Sequence, residues 1–349
     1  MQIQHDHTVP LKIGVVGTGW IAGSMGFFFK WNKRMRMTAA CDVNPAILQK
    51  FAQQFKIRET YSDFDAMLAK ANVDVLYLAL PHYLHASFLI KGIEAGKHIL
   101  CEKPLTTSIE DARQVIARAK KANVKVGVNY QYRYSPRLYS LVKAIQAGCL
   151  GKVYYGLVRC PWYRSKHYYD QGPWRLKWVS AGGGTMLIHA SHSIDIMAWA
   201  LGNPISVTGE IETEREDVPG LEVEDTAIGA VRFASGALGL IFGSMCTRKK
   251  EIQKRPVSVN YLEFAGSRGQ IHYHGPFPAS VKYIGIKRHR DHPPGCGLIN
   301  YSRLVDNFAQ WVLTDTPFLN PAEESLKVLS IVFGLYNAAR TGQRVSIQL

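Results

Sequence analysis

Between residues 11 and 130, short runs of nearly continuous apolar residues alternate with longer segments whose apolar positions recur at helical spacing. The runs are LKIGVV (11–16), MTAACD (37–42), VDVLYLAL (73–80), HILCEKP (98–104) and KVGVNY (125–130). Unbroken apolarity is what a strand covered on both faces requires, so each run predicts a strand of a parallel sheet. The intervening segments 45–54, 85–96 and 108–122 predict helices, and the apolar positions of HASFLIKGIEAG read as a helix face turned to the sheet. From residue 149 the pattern changes. VYYGLVRC, ISVTGEIET, DTAIGAVRF, ALGLIFGSM, SVNYLEFAG and QIHYHG largely alternate with period two, which suits an open, mostly antiparallel sheet with helices on one face. Two amphipathic stretches, 302–313 and 322–341, predict closing helices. The expected fold class is α/β plus α+β: a doubly wound parallel sheet, then a second domain on a large, mostly antiparallel open sheet. The uncovered face of that second sheet predicts a homo-dimer or homo-tetramer joined through it.

Composition narrows the setting. The chain has 349 residues, 47% of them hydrophobic, enough for two domains with proper cores. No apolar run reaches membrane-span length and the start, MQIQHDHTVP, lacks a signal-peptide layout, so a flexible tail at 1–10 and no membrane partner are expected. Six scattered cysteines without a CxxC pair fit reduced thiols in a cytoplasm. The net charge of +15, from 42 Lys+Arg against 27 Asp+Glu, favours anionic ligands. Its densest clusters, TRKKEIQKRP and KRHR, accompany no nucleic-acid module and read as solvated surface. His5 and His7 sit in the tail, and His272, His274, His289 and His292 lack a metal-ligand spacing, so no metal is expected.

The first strand runs into Gly17-Thr18-Gly19-Trp20-Ile21-Ala22, a dinucleotide fingerprint with Ala in the third small position. Gly17 suits the tight turn, Gly19 leaves room for a pyrophosphate, and the helix start offers free N–H groups. About 20 residues further on, the second strand ends in Asp42, whose carboxylate can accept from a ribose 2′-OH and repels a 2′-phosphate. Val43 follows instead of an arginine, so NAD is expected in preference to NADP. A Rossmann domain at 11–128 and a substrate-binding and oligomerisation domain at 129–349 are therefore expected, with the site between them. Ligands of such sheets sit at the carboxyl ends of strands, which adds Leu80, Pro81, His82, His85, Glu102 and Lys103 to the cofactor candidates.

CEKPLTTS, following LPHYLH, resembles the Gfo/Idh/MocA family of glucose–fructose oxidoreductases, inositol dehydrogenases and rhizopine-catabolism enzymes. The resemblance continues through YQYRYSP, GKVYYGLV, PWYRSKHYYDQGPWRLKW, GGGTMLIHASHSID, VEDTAIGAVRFASGALG and FAGSRGQI. It implies an NAD(P)-dependent oxidoreductase acting on a secondary alcohol or ketone of a sugar, sugar acid, cyclitol or nucleotide sugar. It aligns Lys103 and His192 with the family's catalytic lysine and histidine, and Gln131, Trp174 and Arg175 with positions near the nicotinamide. His85 fits the family pattern, whereas His82 stands where Asn is common. The family often places Asp four residues before the histidine, and here that position is Ile188. His189, three residues from His192, either shares the catalytic work or packs locally.

Alcohol oxidation removes a hydroxyl proton as a hydride leaves the same carbon, so a base with a pKa near working pH is needed. Lys103 and His192 make a workable pair, and the residues alone leave open which is the base. Arg133, Trp162, Tyr163, Arg164, Trp174 and Arg175 are candidates for a carbohydrate pocket: aromatic faces suit a pyranose, and guanidinium groups bind carboxylates or phosphates. Two further readings stand beside the dehydrogenase: an NAD-dependent glycoside-cleaving enzyme acting through transient C3 oxidation, and a non-catalytic dinucleotide-binding sensor.

Overall fold

The computed structural model describes residues 9–246, 260–275 and 278–349. His5, His7 and the basic stretch TRKKEIQKRP lie outside the described residues. Two compact units emerge. The first takes the described residues up to 106, 110–134 and 293–323, and the second takes those of 107–109, 135–292 and 324–349. This differs from a single boundary at 128/129, because 293–323 returns to the first unit.

The first unit is built on β1 (Leu11–Val16), β2 (Met35–Cys41), β3 (Glu59–Tyr61), β4 (Val75–Leu78), β5 (His98–Cys101) and β6 (Val126–Val128). All neighbours pair in parallel, in the order β3-β2-β1-β4-β5-β6. The strands are short and apolar because both faces are covered, and Val75–Leu78 is buried at every position. The returning helix Asn300–Thr314 explains the revised boundary. Its stripe Leu304, Val305, Phe308, Ala309 and Val312 joins one buried cluster with Phe29, Tyr77 and Leu100. Gly127 in β6 makes room for it, since a Cβ there would lie 2.5 Å from Phe318 and 3.0 Å from Phe308.

The second unit carries β7 (Val153–Pro161), β8 (Pro204–Glu212), β9 (Thr226–Phe233), β10 (Leu238–Ser244), β11 (Asn260–Gly266), β12 (Gly269–Gly275), β13 (Ser280–Ile284) and β14 (Val345–Ser346). Their order is β13-β12-β11-β7-β10-β9-β8-β14; β7 and β10 pair in parallel and the other neighbours antiparallel. Helices Ser191–Leu201 and Ala322–Thr341 cover one face. They approach closely because the sheet presents glycine beneath them: a Cβ at Gly239 would meet Met197 Sδ at 3.0 Å, and one at Gly229 would meet Leu335 at 2.5 Å. On the opposite face, Ile228, Leu238 and Leu240 are 52%, 44% and 47% exposed. Among the described residues no helix is long and apolar enough to cross a membrane, and no His/Cys/Asp/Glu group could hold a metal ion.

Candidate active site

In the first unit, the parallel sheet brings the carboxyl ends of β1, β2, β4, β5 and β6 to one edge, and with them most of the expected cofactor residues. Gly17 turns the chain at φ 79, and a Cβ there would lie 2.4 Å from the Ala79 carbonyl oxygen. A Cβ at Gly19 would meet nothing within 4 Å, so open space faces the start of helix Trp20–Trp31, which no side chain caps. Thr18 donates to Asp42 Oδ2 through its N–H at 2.7 Å and its hydroxyl at 3.0 Å, and the Asn44 N–H donates to Oδ1 at 2.8 Å. A carboxylate has about four acceptor sites, so these three donors leave capacity for one more. Trp20 is exposed and Ile21 half-buried beside this turn. An open cradle at Gly19, unclaimed helix N–H groups and an oriented carboxylate together fit a dinucleotide.

Further along the same edge, Leu80 and Pro81 follow β4 and Glu102 and Lys103 follow β5, all half-buried. His85 is fully buried; its Nδ1 lies 2.6 Å from the Pro104 carbonyl and its Nε2 2.9 Å from the Leu80 carbonyl. Its ring therefore ties the loop after β4 to the loop after β5 and positions both. Burial holds its pKa below the usual histidine value, and the nearby Lys103 charge acts in the same direction. His82, also buried, packs its ring 5.8 Å from that of His85. Glu102 Oε1 accepts from Tyr77 Oη and from Asn129 Nδ2, each at 2.6 Å. Burial raises the Glu102 pKa, opposed by these donors and by Lys103. The Lys103 charge thus acts on both a fixed carboxyl and a fixed imidazole, and its peptide bond to Pro104 is cis. Gln131 opens the short helical turn Gln131–Tyr134 after β6. Arg133, expected at a carbohydrate pocket, is 1% exposed and donates to the Leu319 carbonyl at 2.7 Å, an internal tie between the turn after β6 and the returning segment.

In the second unit, the triple glycine is explained by a residue that pattern reading passed over. Glu224, buried just before β9, accepts from the Gly184 N–H at 2.6 Å, the Met186 N–H at 2.9 Å and Tyr336 Oη at 2.8 Å. A Cβ at Gly184 would lie 1.8 Å from the Glu224 carbonyl oxygen, and one at Gly183 would lie 2.3 Å from Tyr336 Oη. Burial pushes the Glu224 carboxyl up to about 7 against the pull of these donors. The clamp holds the start of a π-helical turn, Met186–Ala190, which leads into helix Ser191–Leu201. Ile188 and His189 lie in that turn, and His192 is half-buried one residue into the helix.

Beside this turn, most of the expected carbohydrate-pocket residues meet in one stack. Trp162 lies parallel to His189 with centroids 5.4 Å apart, and the Arg164 guanidinium sits 4.8 Å from the Trp162 ring and 5.0 Å from the Tyr168 ring. Arg175 lies 4.6 Å from Tyr168 and 4.7 Å from Trp174. Arg164 Nε donates to His189 Nε2 at 3.2 Å. Tyr168, which joins the two arginines, was not singled out by the sequence; its signal was the Tyr-Tyr pair inside an already aromatic, basic segment. Burial raises its pKa, opposed by the charges of Arg175 and Arg164. Tyr163 lies under the Arg215 guanidinium at 5.1 Å.

Comparison with known proteins gives this geometry a context. Residues 11–130 match the model of an oxidoreductase family with an NAD-binding Rossmann fold, and residues 140–272 match the GFO/IDH/MocA C-terminal domain. The chain is similar to 1,5-anhydro-D-fructose reductase of Ensifer adhaerens, with 29% identity over 58% of this chain and 59% of that protein. The chain thus spans less than two thirds of that relative's length. D-glucoside 3-dehydrogenase of Escherichia coli is 23% identical over 97% of this chain and 98% of its own. Among solved structures, the WlbA dehydrogenase of Bordetella pertussis, in complex with NADH and UDP-GlcNAcA, superposes with a TM-score of 0.85 at 28% identity, covering 97% of this chain and 99% of that one. The aldose-aldose oxidoreductase of Caulobacter crescentus gives 0.84 at 25% identity, covering 97% and 100%.

Proposed function

The chain belongs to the GFO/IDH/MocA oxidoreductase family, and on that premise we propose that it transfers a hydride between nicotinamide and a secondary alcohol or ketone of a sugar or sugar derivative. The observation that carries this reading is the shared strand edge of the first unit, where the open glycine turn, Asp42 and Lys103 all lie. Nicotinamide, when bound, supplies the site that accepts or donates the hydride. The protein's own part is to orient the alcohol and move its hydroxyl proton. Lys103 and His192 fill that role, since a histidine transfers protons near neutral pH unaided and a lysine does so once partly desolvated. The names of similar proteins, a reductase of an anhydro-sugar and a glucoside dehydrogenase, support a carbohydrate.

Finer features belong to the same proposal. Asp42, with the exposed Val43 after it, favours NAD over NADP. Arg164 and Arg175 favour an acidic or phosphorylated sugar, and the UDP-GlcNAcA bound by WlbA, itself a sugar-acid nucleotide, supports this. The exposed apolar face of the second sheet favours self-association through it.

The test is to mix purified protein, NAD and a panel of neutral and acidic sugars and follow reduced-nicotinamide absorbance. Turnover is expected with at least one sugar. Lys103→Ala and His192→Ala should each lower it by about 10²–10⁴-fold while NAD still binds. Near-normal turnover in either variant removes that residue from proton transfer.

A further inference from the structure

The arginine–aromatic stack of the second unit holds more positive charge than its surroundings neutralise. Arg215, the third arginine nearby, is paired with Asp217 through Nε at 2.5 Å and Nη2 at 2.9 Å. Of the neighbouring acids, Asp170 is held by Lys166 at 2.7 Å and Glu222 by Lys177 at 2.6 Å. Among the described residues, Arg164 and Arg175 have no carboxylate partner, although both lie against the same tyrosine ring. Arg164 is half-buried, and burial together with the Arg175 charge pulls its pKa below the usual arginine value. Two guanidinium groups on one ring, without an anion, repel each other; an anion between their forks relieves that repulsion and fills unused N–H donors.

The placement of Arg175 is built in. Glycine at 172 leaves the space the guanidinium occupies over its own loop: a Cβ there would lie 1.6 Å from Arg175 Nη1 and displace that flexible end. The placement of Arg164 depends on His189. Arginine only donates, so His189 Nε2 is the acceptor of the 3.2 Å contact, and Arg164 Nη2 lies 3.4 Å from Nδ1, which puts both ring nitrogens against one guanidinium edge. An imidazolium would set N–H against N–H there. Stacking on Trp162 fixes the imidazole plane that receives the bond.

We propose that Arg164, oriented by His189 and flanked by Arg175, is a subsite for an anionic group of the substrate, a carboxylate or a phosphoryl, and that His189 is a positioning residue and not a proton-transfer group. This deepens the oxidoreductase reading and rests on it. In that role His189 is the neutral, fixed acceptor that keeps one edge of the guanidinium occupied and turns the other toward the ligand.

The probes are acetate and inorganic phosphate, titrated at constant ionic strength against the NAD-saturated protein, with chloride as control and tryptophan fluorescence as readout. A saturable change with phosphate alone assigns a phosphoryl group, and one with acetate alone assigns a carboxylate. Arg164→Gln should weaken the response at least about 10-fold, the scale of a charge-assisted hydrogen-bond pair. His189→Ala should weaken it several-fold, with partial rescue by His189→Asn, whose side-chain oxygen again accepts. Melting curves of the variants separate misfolding from lost binding, and Arg164→Lys, which keeps the charge without the fork, should fall between. No response beyond chloride, or an unchanged response in Arg164→Gln, overturns the subsite. An unchanged response in His189→Ala, or loss of a neutral-pH ionisation from its rate profile, overturns the positioning role. NAD-dependent turnover of a neutral sugar alongside either result leaves the oxidoreductase reading in place.

Discussion

Asp42 already carries three protein donors on its carboxylate, which fixes its direction before any ligand arrives. A ribose hydroxyl meets an oriented acceptor, whereas a phosphate meets a fixed negative charge. Asp42→Ala is expected to narrow the NAD-over-NADP preference by about 10-fold or more, the value of a hydrogen bond to a charged group. Calorimetric titration of both dinucleotides checks this, and equal affinities in the unaltered protein defeat the reading. At this scale much of the candidate site was legible, because Gly17, Gly19 and Asp42 act through backbone geometry and charge that local sequence specifies. Arg133 was not legible: its composition suits a ligand, and only its enclosure beside the Leu319 carbonyl shows an internal role.

Among the elements, the Gly182–Gly184 entry into the histidine-bearing turn is the most constrained. Gly184→Ala would drive a methyl into the Glu224 backbone, and a loss of about 1–3 kcal/mol or more is expected on thermal unfolding. Glu224 adds a pH signature. Its folded pKa of about 7 stands above its ordinary 4.5, so the native state keeps a proton that the unfolded chain releases. The resulting stability is fully present below about pH 4.5 and is lost as pH rises toward 7, a change of about 3 kcal/mol. Glu224→Gln, which cannot ionise, should flatten this part of the stability–pH curve. Denaturant melts of both proteins between pH 4.5 and 7.5 read the difference, and parallel curves would refute the raised pKa. The VEDT tetrapeptide announces a strand start, but nothing local says that its glutamate will reach back 40 residues to cap the glycine turn.

For the whole molecule, the exposed Ile228, Leu238 and Leu240 lie on adjoining strands of the second sheet. They form an apolar strip of the kind that self-association covers. Leu240→Arg is expected to shift the protein toward monomer in sedimentation velocity while its melting temperature changes little, because the side chain stands on the open face. A monomeric unaltered protein at micromolar concentration counts against this interface.

What the sequence by itself determined was the alternation of buried strands and helices, the glycine turn with its acidic partner, and the switch to an alternating sheet. The first and last are periodicities carried within a dozen or so residues, and the glycine turn and Asp42 are tied by the fixed spacing of a fingerprint, with Thr18 and Asp42 24 residues apart. Only the tertiary structure decided that 293–323 returns to the first unit, because an amphipathic stripe states that it needs a partner without stating which. It also decided that Tyr168 joins Arg164 to Arg175, that Glu224 clamps Gly184, and that His189 accepts from Arg164. The last two pairings span 40 and 25 residues and depend on which residues long-range packing brings together, and pattern along a chain does not encode distance across it.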